Sequence, residues 1–304
     1  MFSELMHKSF WGTYLINSYH CIRCRIDPIV VSDEKAVRKY FKRKTGRELD
    51  YSNLISFADK LNWYKLNHKN PLMIQCADKY AVRDYVTGCG YPEILNELYG
   101  VYSKVEDIDL NSLPGKFVLK AAHGSHMNII YPDTQYSWWQ CKLLMKSWLK
   151  QDIYWSGREW VYKDMPKRII AERYLEDETG ELRDYKLFCY HGKPVYMQFD
   201  SGRFNGTHYR NFYDMDLNLL DISDNSTIVN PSLVPIDSES FNKMKTIAAK
   251  LAEPFEFVRT DFYYVSGQII FGELTFFDGG GYSGFSKPEY DVMFGEPWHI
   301  CHEK

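Results

Sequence analysis

No stretch of this chain stays apolar for long enough to cross a bilayer as a helix, which excludes a helical membrane span. Its opening residues, MFSELMHKSFWGTYLINSYH, break every apolar run with charged or polar side chains, so the uninterrupted core of a secretion signal is missing. An excess of either charge is missing too. The net charge is −3 and the isoelectric point about 6.3, which gives no reason to expect nucleic acid as a partner. Cysteine is sparse and odd in number, seven in 304 residues, and Cys21-x-x-Cys24 has no second pair at zinc-site spacing. These thiols read as reduced and the compartment as cytoplasmic.

What the chain does have is ordinary globular composition, 45% hydrophobic and 25% charged, over a length comfortable for two or three lobes sharing a cleft. Aromatic residues reach 16%, an abundance that sometimes accompanies sugar binding but that core packing more often produces, so alone it decides nothing. The first third is helical in character. Ser32, Asp33 and Glu34 open a helix that runs to about Lys44 and stops at Thr45-Gly46, and Leu54, Phe57, Ala58, Leu61 and Tyr64 recur at helical spacing up to Asn70-Pro71. In ADKYAVRDYVTGCGYPEIL, Asp78 opens a helix, Gly88 and Gly90 close it, and a strand is expected after Pro92. Residues 116–130 read as strand, turn and strand, and 141–150 as a helix. Strands follow at 168–175, 184–190 and 193–199, the last two joined through His191-Gly192. A helix spans about 239–252 and a hairpin 257–276. No internal repeat or low-complexity linker separates these elements, so packed lobes fit better than beads on a string.

Two segments carry chemistry. In VRTDFYYVSGQIIFGELTFFD, residues 258–278, Arg259 and Asp261 share one face of a strand, as do Glu273 and Thr275. A three-residue loop Ser266-Gly267-Gln268 sets Asp261 opposite Glu273 and Arg259 opposite Thr275, whereas a two-residue loop sends the carboxylates to opposite faces. Opposed carboxylates repel unless a cation sits between them, and such an oxygen pair suits Mg²⁺. The plain alternative is a solvated hairpin face, but Phe262, Tyr263, Ile269, Ile270, Phe271 and Leu274 make the setting apolar, where unpaired charge is costly. In FVLKAAHGSHMNII, residues 117–130, Lys120 ends an apolar strand, and small residues follow whose backbone N–H groups can approach an anion. A snorkelling lysine is the alternative there. This turn is neither a Walker loop nor a dinucleotide fingerprint.

Taken in order, Lys79, Lys120 with its glycine turn, IIAERYLED, Arg259-x-Asp261 and Glu273-x-Thr275 form a series that resembles the ATP-grasp superfamily. The likeness is strongest to its TupA-like branch, associated with teichuronopeptide and other surface-polysaccharide synthesis, and it covers roughly residues 28–298. It implies an α+β fold in which two α+β lobes grip ATP: a helical region at 1–75, a lid or small lobe at 76–175, and a C-terminal lobe with a metal-binding hairpin at 176–304. It also implies ATP and Mg²⁺ as cofactors. By position, Lys79 and Lys120 contact the nucleotide phosphates, with Lys120 also near the adenine, and the turn His123-Gly124-Ser125-His126 covers the phosphates. Glu172, Arg173, Tyr174 and Leu175 form the hinge, where Glu172 accepts from the adenine amino group and the backbone of Arg173 and Leu175 reads the ring edge. Asp184 or Arg183 falls near the ribose, and Lys186 points at phosphate. Asp261 and Glu273 match the metal ligands and Arg259 the arginine facing the transferred phosphate, while Thr275 stands where most relatives carry Asn.

The reaction this resemblance implies moves the γ-phosphate of ATP onto a carboxylate, after which an amine attacks the acyl phosphate and leaves an amide. The TupA-like likeness suggests a uronic acid, free, nucleotide-linked or within a polysaccharide, as acceptor, and an amino acid or small amine as nucleophile. Arg203, Tyr209 and Arg210, in DSGRFNGTHYRNFYDMD, offer a basic cluster for a carboxylate, and Gly280 and Gly281, in GGGYSGF, offer backbone amides to an acyl phosphate. The main competitor is a glycosyltransferase of the same pathway using Asp214-Met215-Asp216 as its metal-holding acid-x-acid pair. A sugar kinase and a non-catalytic polysaccharide-binding module are the remaining options.

Overall fold

A computed structural model describes residues 9–203, 206–282 and 284–300, with backbone only for 23–30. The first eight residues of the opening segment, the Cys24 side chain, Phe204, Asn205 and Ser283 therefore lie outside the described residues. The chain divides into two compact units, each assembled from three stretches: Met1–Val37, Pro71–Ala81 and Asn96–Tyr174 form the first, and Arg38–Asn70, Val82–Leu95 and Leu175–Lys304 the second.

The early helices follow their local signals. A long helix α1 covers Phe10–Val30 and α2 covers Asp33–Thr45, with Asp33 and Glu34 at its positive end and Lys42, Arg43 and Lys44 at its negative end. Helix α3, Phe57–Asn67, starts at a reciprocal cap in which Ser56 Oγ accepts from the Asp59 N–H and the Asp59 carboxylate accepts from the Ser56 N–H. Short helices α4, Leu72–Ala77, and α5, Val82–Gly88, come next. The strand expected directly after Pro92 is displaced. Pro92–Ile94 form a 3₁₀ turn, because proline pre-sets a helical φ and brings no N–H to a ladder, and the strand starts only at Leu98.

The first unit contains a four-stranded antiparallel sheet of β1 (Leu98–Tyr102), β2 (Phe117–Ala121), β3 (Asn128–Tyr131) and β4 (Ile169–Arg173) in the order β1-β4-β2-β3. Alternation along the strands sorts the side chains. Phe117, Leu119 and Ala121 of β2, Ile129 of β3, and Ile169 and Ala171 of β4 join Cys141, Leu144, Met145 and Trp148 of helix α6 (Trp138–Trp148) in one buried cluster. Lys120 and Glu172 alternate with those residues and belong to the other face. A short helix α7 (Tyr154–Gly157) completes this unit.

The second unit is built on a five-stranded antiparallel sheet of β5 (Asp184–Tyr190), β6 (Lys193–Ser201), β7 (Tyr209–Tyr213), β8 (Phe257–Val265) and β9 (Gln268–Thr275), ordered β7-β6-β5-β8-β9. Helix α8 (Ser238–Ala252), capped by Asp237, packs Phe241, Met244, Ile247, Ala248 and Leu251 onto β5, β6 and β8. The opposite face grades from aromatic to charged. At one end Phe188, Tyr190 and Phe257 meet Phe57 of α3, Phe294 of helix α9 (Pro288–Gly295) and Trp298. Two and four residues back along β5 stand Lys186 and Asp184. Among the described residues no helix is long and apolar enough to cross a membrane.

The β8–β9 hairpin pairs Asp261 with Glu273 and Arg259 with Thr275, but not through a three-residue loop. The turn is two residues, Ser266 at φ 50° and Gly267 at φ 78°, with Val265 opposite Gln268. A bulge at Gly272 then inserts one extra residue into β9, so the ladder changes parity between Phe262 and Asp261 and Glu273 returns to the face of Asp261. A side chain on Gly272 has little room, since a Cβ there lies 3.0 Å from the Asp261 carbonyl oxygen. Gly272→Val is expected to cost about 1–3 kcal/mol of stability by overpacking; an unchanged midpoint in urea unfolding would show that the bulge is free to deform.

Candidate active site

In the first unit Lys120 and Glu172 are diagonal neighbours across β2 and β4, and Lys120 Nζ donates to Glu172 Oε2 at 2.8 Å. Both are largely withdrawn from water, 27% and 10% exposed, so each charge needs the other. Lys79 reaches the turn after β2. Its Nζ donates to the Gly124 carbonyl at 3.0 Å and its backbone N–H to the Ala122 carbonyl at 3.1 Å. Asp78 fixes that approach by accepting from the N–H groups of Tyr80 and Ala81 and pairing with Arg168. Lys79, Gly124 and the Lys120–Glu172 pair thus lie in one unit.

His123 is not on the surface of that turn. It is 2% exposed, with Nε2 3.0 Å from the Trp148 carbonyl, and burial holds its pKa below the usual histidine value, so the ring is a neutral core group and not a cation for phosphate. Ser125 and His126 are exposed, His126 in a left-handed conformation at φ 58°. In the segment expected to be the hinge, the Arg173 N–H already donates to the Glu97 carbonyl at 3.0 Å, and its carbonyl accepts from Asn96 Nδ2 at 2.9 Å. An N–H donates once, so Arg173 cannot also donate to an adenine edge. Tyr174 lies under Lys116 Nζ, 3.7 Å from the ring centroid, and Leu175 is buried.

The second unit sets its charges in rows across the sheet. Gln198, Lys186, Asp261 and Glu273 are successive partners through β6, β5, β8 and β9, and Phe188, Arg259 and Thr275 form the adjacent row. Arg259 forks onto Asp261, Nε to Oδ1 at 2.7 Å and Nη2 to Oδ2 at 2.6 Å. It also pairs with Asp278, lies 3.7 Å from Glu273 and donates to Thr275 Oγ1 at 3.2 Å. Thr275 in turn donates to Glu273 Oε1 at 3.1 Å. Burial drives the Asp261 carboxyl up to about 6 against the pull of the guanidinium. Asp278, one strand-end beyond the predicted set, was missed because its partner is nineteen positions away; an acid directly after the metal strand was the available signal. Asp261, Glu273, Thr275 and Asp278 are hard oxygen donors that already gather around one cation. Their oxygens are the ligand type magnesium takes, but here they close on the Arg259 guanidinium, and among the described residues no three His, Cys, Asp or Glu side chains are grouped to hold a metal ion.

Farther along the same face, Arg203 Nη2 pairs with Asp184 at 3.0 Å, while Arg183 is spent on Asp177 and Glu178, which leaves Asp184 as the ribose candidate. Arg210 is held by Asp200 at 2.7 Å and by Asp224, so its guanidinium braces the sheet rather than facing a substrate; Tyr209 begins β7 half-buried. The glycine segment also departs from expectation. The N–H groups of Gly280 and Gly281 donate to the Phe277 and Asp278 carbonyls, both at 2.8 Å, so they are not available to an acyl phosphate. Their carbonyls accept from Lys65 Nζ at 2.5 Å and Asn62 Nδ2 at 2.8 Å, and φ values of 70° and 93° explain the glycines. In the acid-x-acid pair, Asp214 accepts from the N–H groups of Asp216 and Asn218 and from the Asn218 amide, which makes it the anchor of a turn. Cys21 Sγ lies 3.6 Å from the Ser147 carbonyl.

A family profile described as TupA-like ATPgrasp matches residues 59–299, which bears out the resemblance carried by the ordered motifs. Comparison with curated proteins finds no match. Among solved structures, D-alanine–D-alanine ligase from Bacillus anthracis is 15% identical over 66% of this chain and 56% of its own, with a TM-score of 0.38. The same-named enzyme from Helicobacter pylori is 11% identical over 74% and 60%, with a TM-score of 0.40. The ADP complex of purK, N5-carboxyaminoimidazole ribonucleotide synthetase, is 15% identical over 81% and 58%, with a TM-score of 0.44. The chain spans less than two thirds of the length of each.

Removing one member of the Arg259 cluster strands the others away from water. Asp261→Asn is expected to cost about 3 kcal/mol, the low end for a broken buried pair because Asp278 and Glu273 remain. Urea unfolding checks this, and a loss below about 1 kcal/mol means the cluster is solvated.

Proposed function

Because the chain belongs to the TupA-like ATP-grasp family, we propose that it is an ATP-dependent carboxylate–amine ligase acting on a uronic acid of surface-polysaccharide synthesis. ATP-grasp family members are ATP-dependent ligases that form C–N bonds. The observation that carries the reading is the pair of adjacent rows on the second sheet, with Lys186, Asp261 and Glu273 in one and Arg259 and Thr275 in the other.

Phosphoryl transfer asks for positioned charge more than for a protein nucleophile. A carboxylate oxygen of the acceptor bonds to the γ-phosphorus as the bond from that phosphorus to the β–γ bridging oxygen breaks, releasing ADP. The amine nitrogen then attacks the acyl carbon, phosphate leaves, and the amine proton passes to solvent. In this reading Lys79, Lys120 and Glu172 serve the phosphates and adenine, Asp184 the ribose and Lys186 the phosphates. Asp261 and Glu273, with Thr275 beside them, would hold Mg²⁺, which neutralises phosphate charge when bound. Arg259, already poised among these carboxylates, donates to the oxygens of the moving phosphoryl group.

A matrix of uronic acids and amines, read by ADP release and by mass spectrometry of the product, tests the assignment. ADP release that requires both partners and yields an amide is expected, with Asp261→Asn lowering turnover by more than about 100-fold. Release that ignores every amine identifies a sugar kinase, and sugar-nucleotide turnover without ATP consumption identifies a glycosyltransferase; either sinks the ligase.

A further inference from the structure

Asp200 gathers more partners than bracing the sheet requires. Its carboxylate is buried on β6 and takes five donors: Lys186 Nζ and Gln198 Nε2 at 2.7 Å and Arg203 Nη2 at 3.4 Å on Oδ2, with His208 Nε2 at 2.9 Å and Arg210 Nε at 2.7 Å on Oδ1. Burial pushes the carboxyl up, but Lys186 and Arg210 overcome it and hold the group ionised, well below the usual carboxylate range. A structural strut accounts for three of the donors. Lys186 and Gln198 are buried, and Arg210 is clamped from the far side by Asp224, whose other oxygen is spent on Ser226 and Thr227.

Arg203 and His208 do not fit that account. Their side chains are 37% and 29% exposed, and each commits a single nitrogen to its acidic neighbours. Arg203 uses Nη2 on Asp184 and Asp200, leaving the Nε and Nη1 donors without a partner among the described residues. His208 gives its Nε2–H to Asp200, which leaves Nδ1 as an acceptor in the neutral ring. One buried anion therefore presents, at its solvent edge, a guanidinium and an imidazole acceptor side by side.

We propose that Arg203 and His208 form the receptor for the acceptor substrate, with Arg203 donating to its carboxylate and His208 Nδ1 accepting from a sugar hydroxyl, and with Asp200 as the positioning residue that fixes both. The identity of the acceptor as a sugar acid rests on the ligase reading. Lys186, on the other oxygen of Asp200, ties the receptor to the row that carries Asp261.

The test titrates D-glucuronate, with D-glucose as the uncharged control, into the protein and its Arg203→Gln, His208→Gln and Asp200→Asn variants, alongside steady-state kinetics. Glucuronate affinity is expected to fall about 10- to 100-fold in Arg203→Gln, the worth of a charge-assisted hydrogen bond, about 2- to 10-fold in His208→Gln, the worth of a neutral one, and in Asp200→Asn by at least as much as in either. His208→Gln raises KM for the acid and leaves KM for ATP within about twofold, a split that loss of structure does not produce, whereas Arg203→Gln raises KM for the acid and also moves KM for ATP, because it releases Asp184. Asp200→Asn moves both constants, because it also releases Lys186. If the protein forms amide from glucuronate and the two exposed-side variants bind it as well as the parent, the receptor assignment falls and the ligase stands. If glucuronate binds with the expected variant losses but no amide appears with any amine, the receptor stands and the ligase falls. A parent protein that does not distinguish glucuronate from glucose overturns the receptor outright.

Discussion

Ionised groups on the inner face of the second sheet sit beside aromatic rows, and an ion taken out of water there costs several kcal/mol unless partners meet it. Most of the surrounding architecture answers that demand. Arg259 needs carboxylates on three sides, which fixes Asp261 beside it, Asp278 beyond the strand end and Glu273 across the ladder. Glu273 reaches its place only because β9 is bulged, and Asp278 opens a sharp turn through three glycines of positive φ, of which Gly280 and Gly281 offer their carbonyls to Lys65 and Asn62. Asp200 makes a parallel demand, met by Lys186 from the neighbouring strand and by Arg210 and its own partner Asp224.

Both sheets solve the same problem in the same way. A period of two gives each strand one face for a helix and one for chemistry. Phe117, Leu119 and Ala121 seal β2 against α6 while Lys120 alternates with them; Tyr185 and Leu187 are buried on β5 while Asp184 and Lys186 alternate with them. Functional groups mounted on paired strands keep their geometry better than groups on loops. The turn after β2 shows the contrast, since its carbonyls are tied by Lys79 but its exposed residues, Ser125 and His126, are not part of any ladder.

Strand alternation, helix caps and the order of Lys79, Lys120, Asp261 and Glu273 were readable from the chain because each is a local pattern or a series of local patterns. The pairing of Asp261 with Glu273 was also readable, though through the wrong loop: sequence spacing reports register only as odd or even, and a bulge and a longer turn change it equally. What escaped was set by distant partners. Nothing beside Arg210 announces that Asp200 and Asp224 will occupy it, nothing in AAHGSH announces that His123 will turn inward to the Trp148 carbonyl, and glycines suited to cradling an anion gave no sign that their N–H groups would close a 3₁₀ turn instead. Backbone availability is a tertiary property, whereas composition reports only permissiveness.

The bulge at Gly272 also governs how this hairpin tolerates changes of length. With a two-residue turn and an unbroken ladder, facing residues are an odd number of positions apart, and Asp261 and Glu273 are an even number apart. A chain that loses Gly272 itself keeps the two carboxylates face to face, because the ladder simply becomes regular. A chain that loses any other single residue between them, and keeps both bulge and turn, delivers Glu273 to the side of the sheet where α8 packs. Deletions of identical size are therefore silent at one position and inverting at its neighbours.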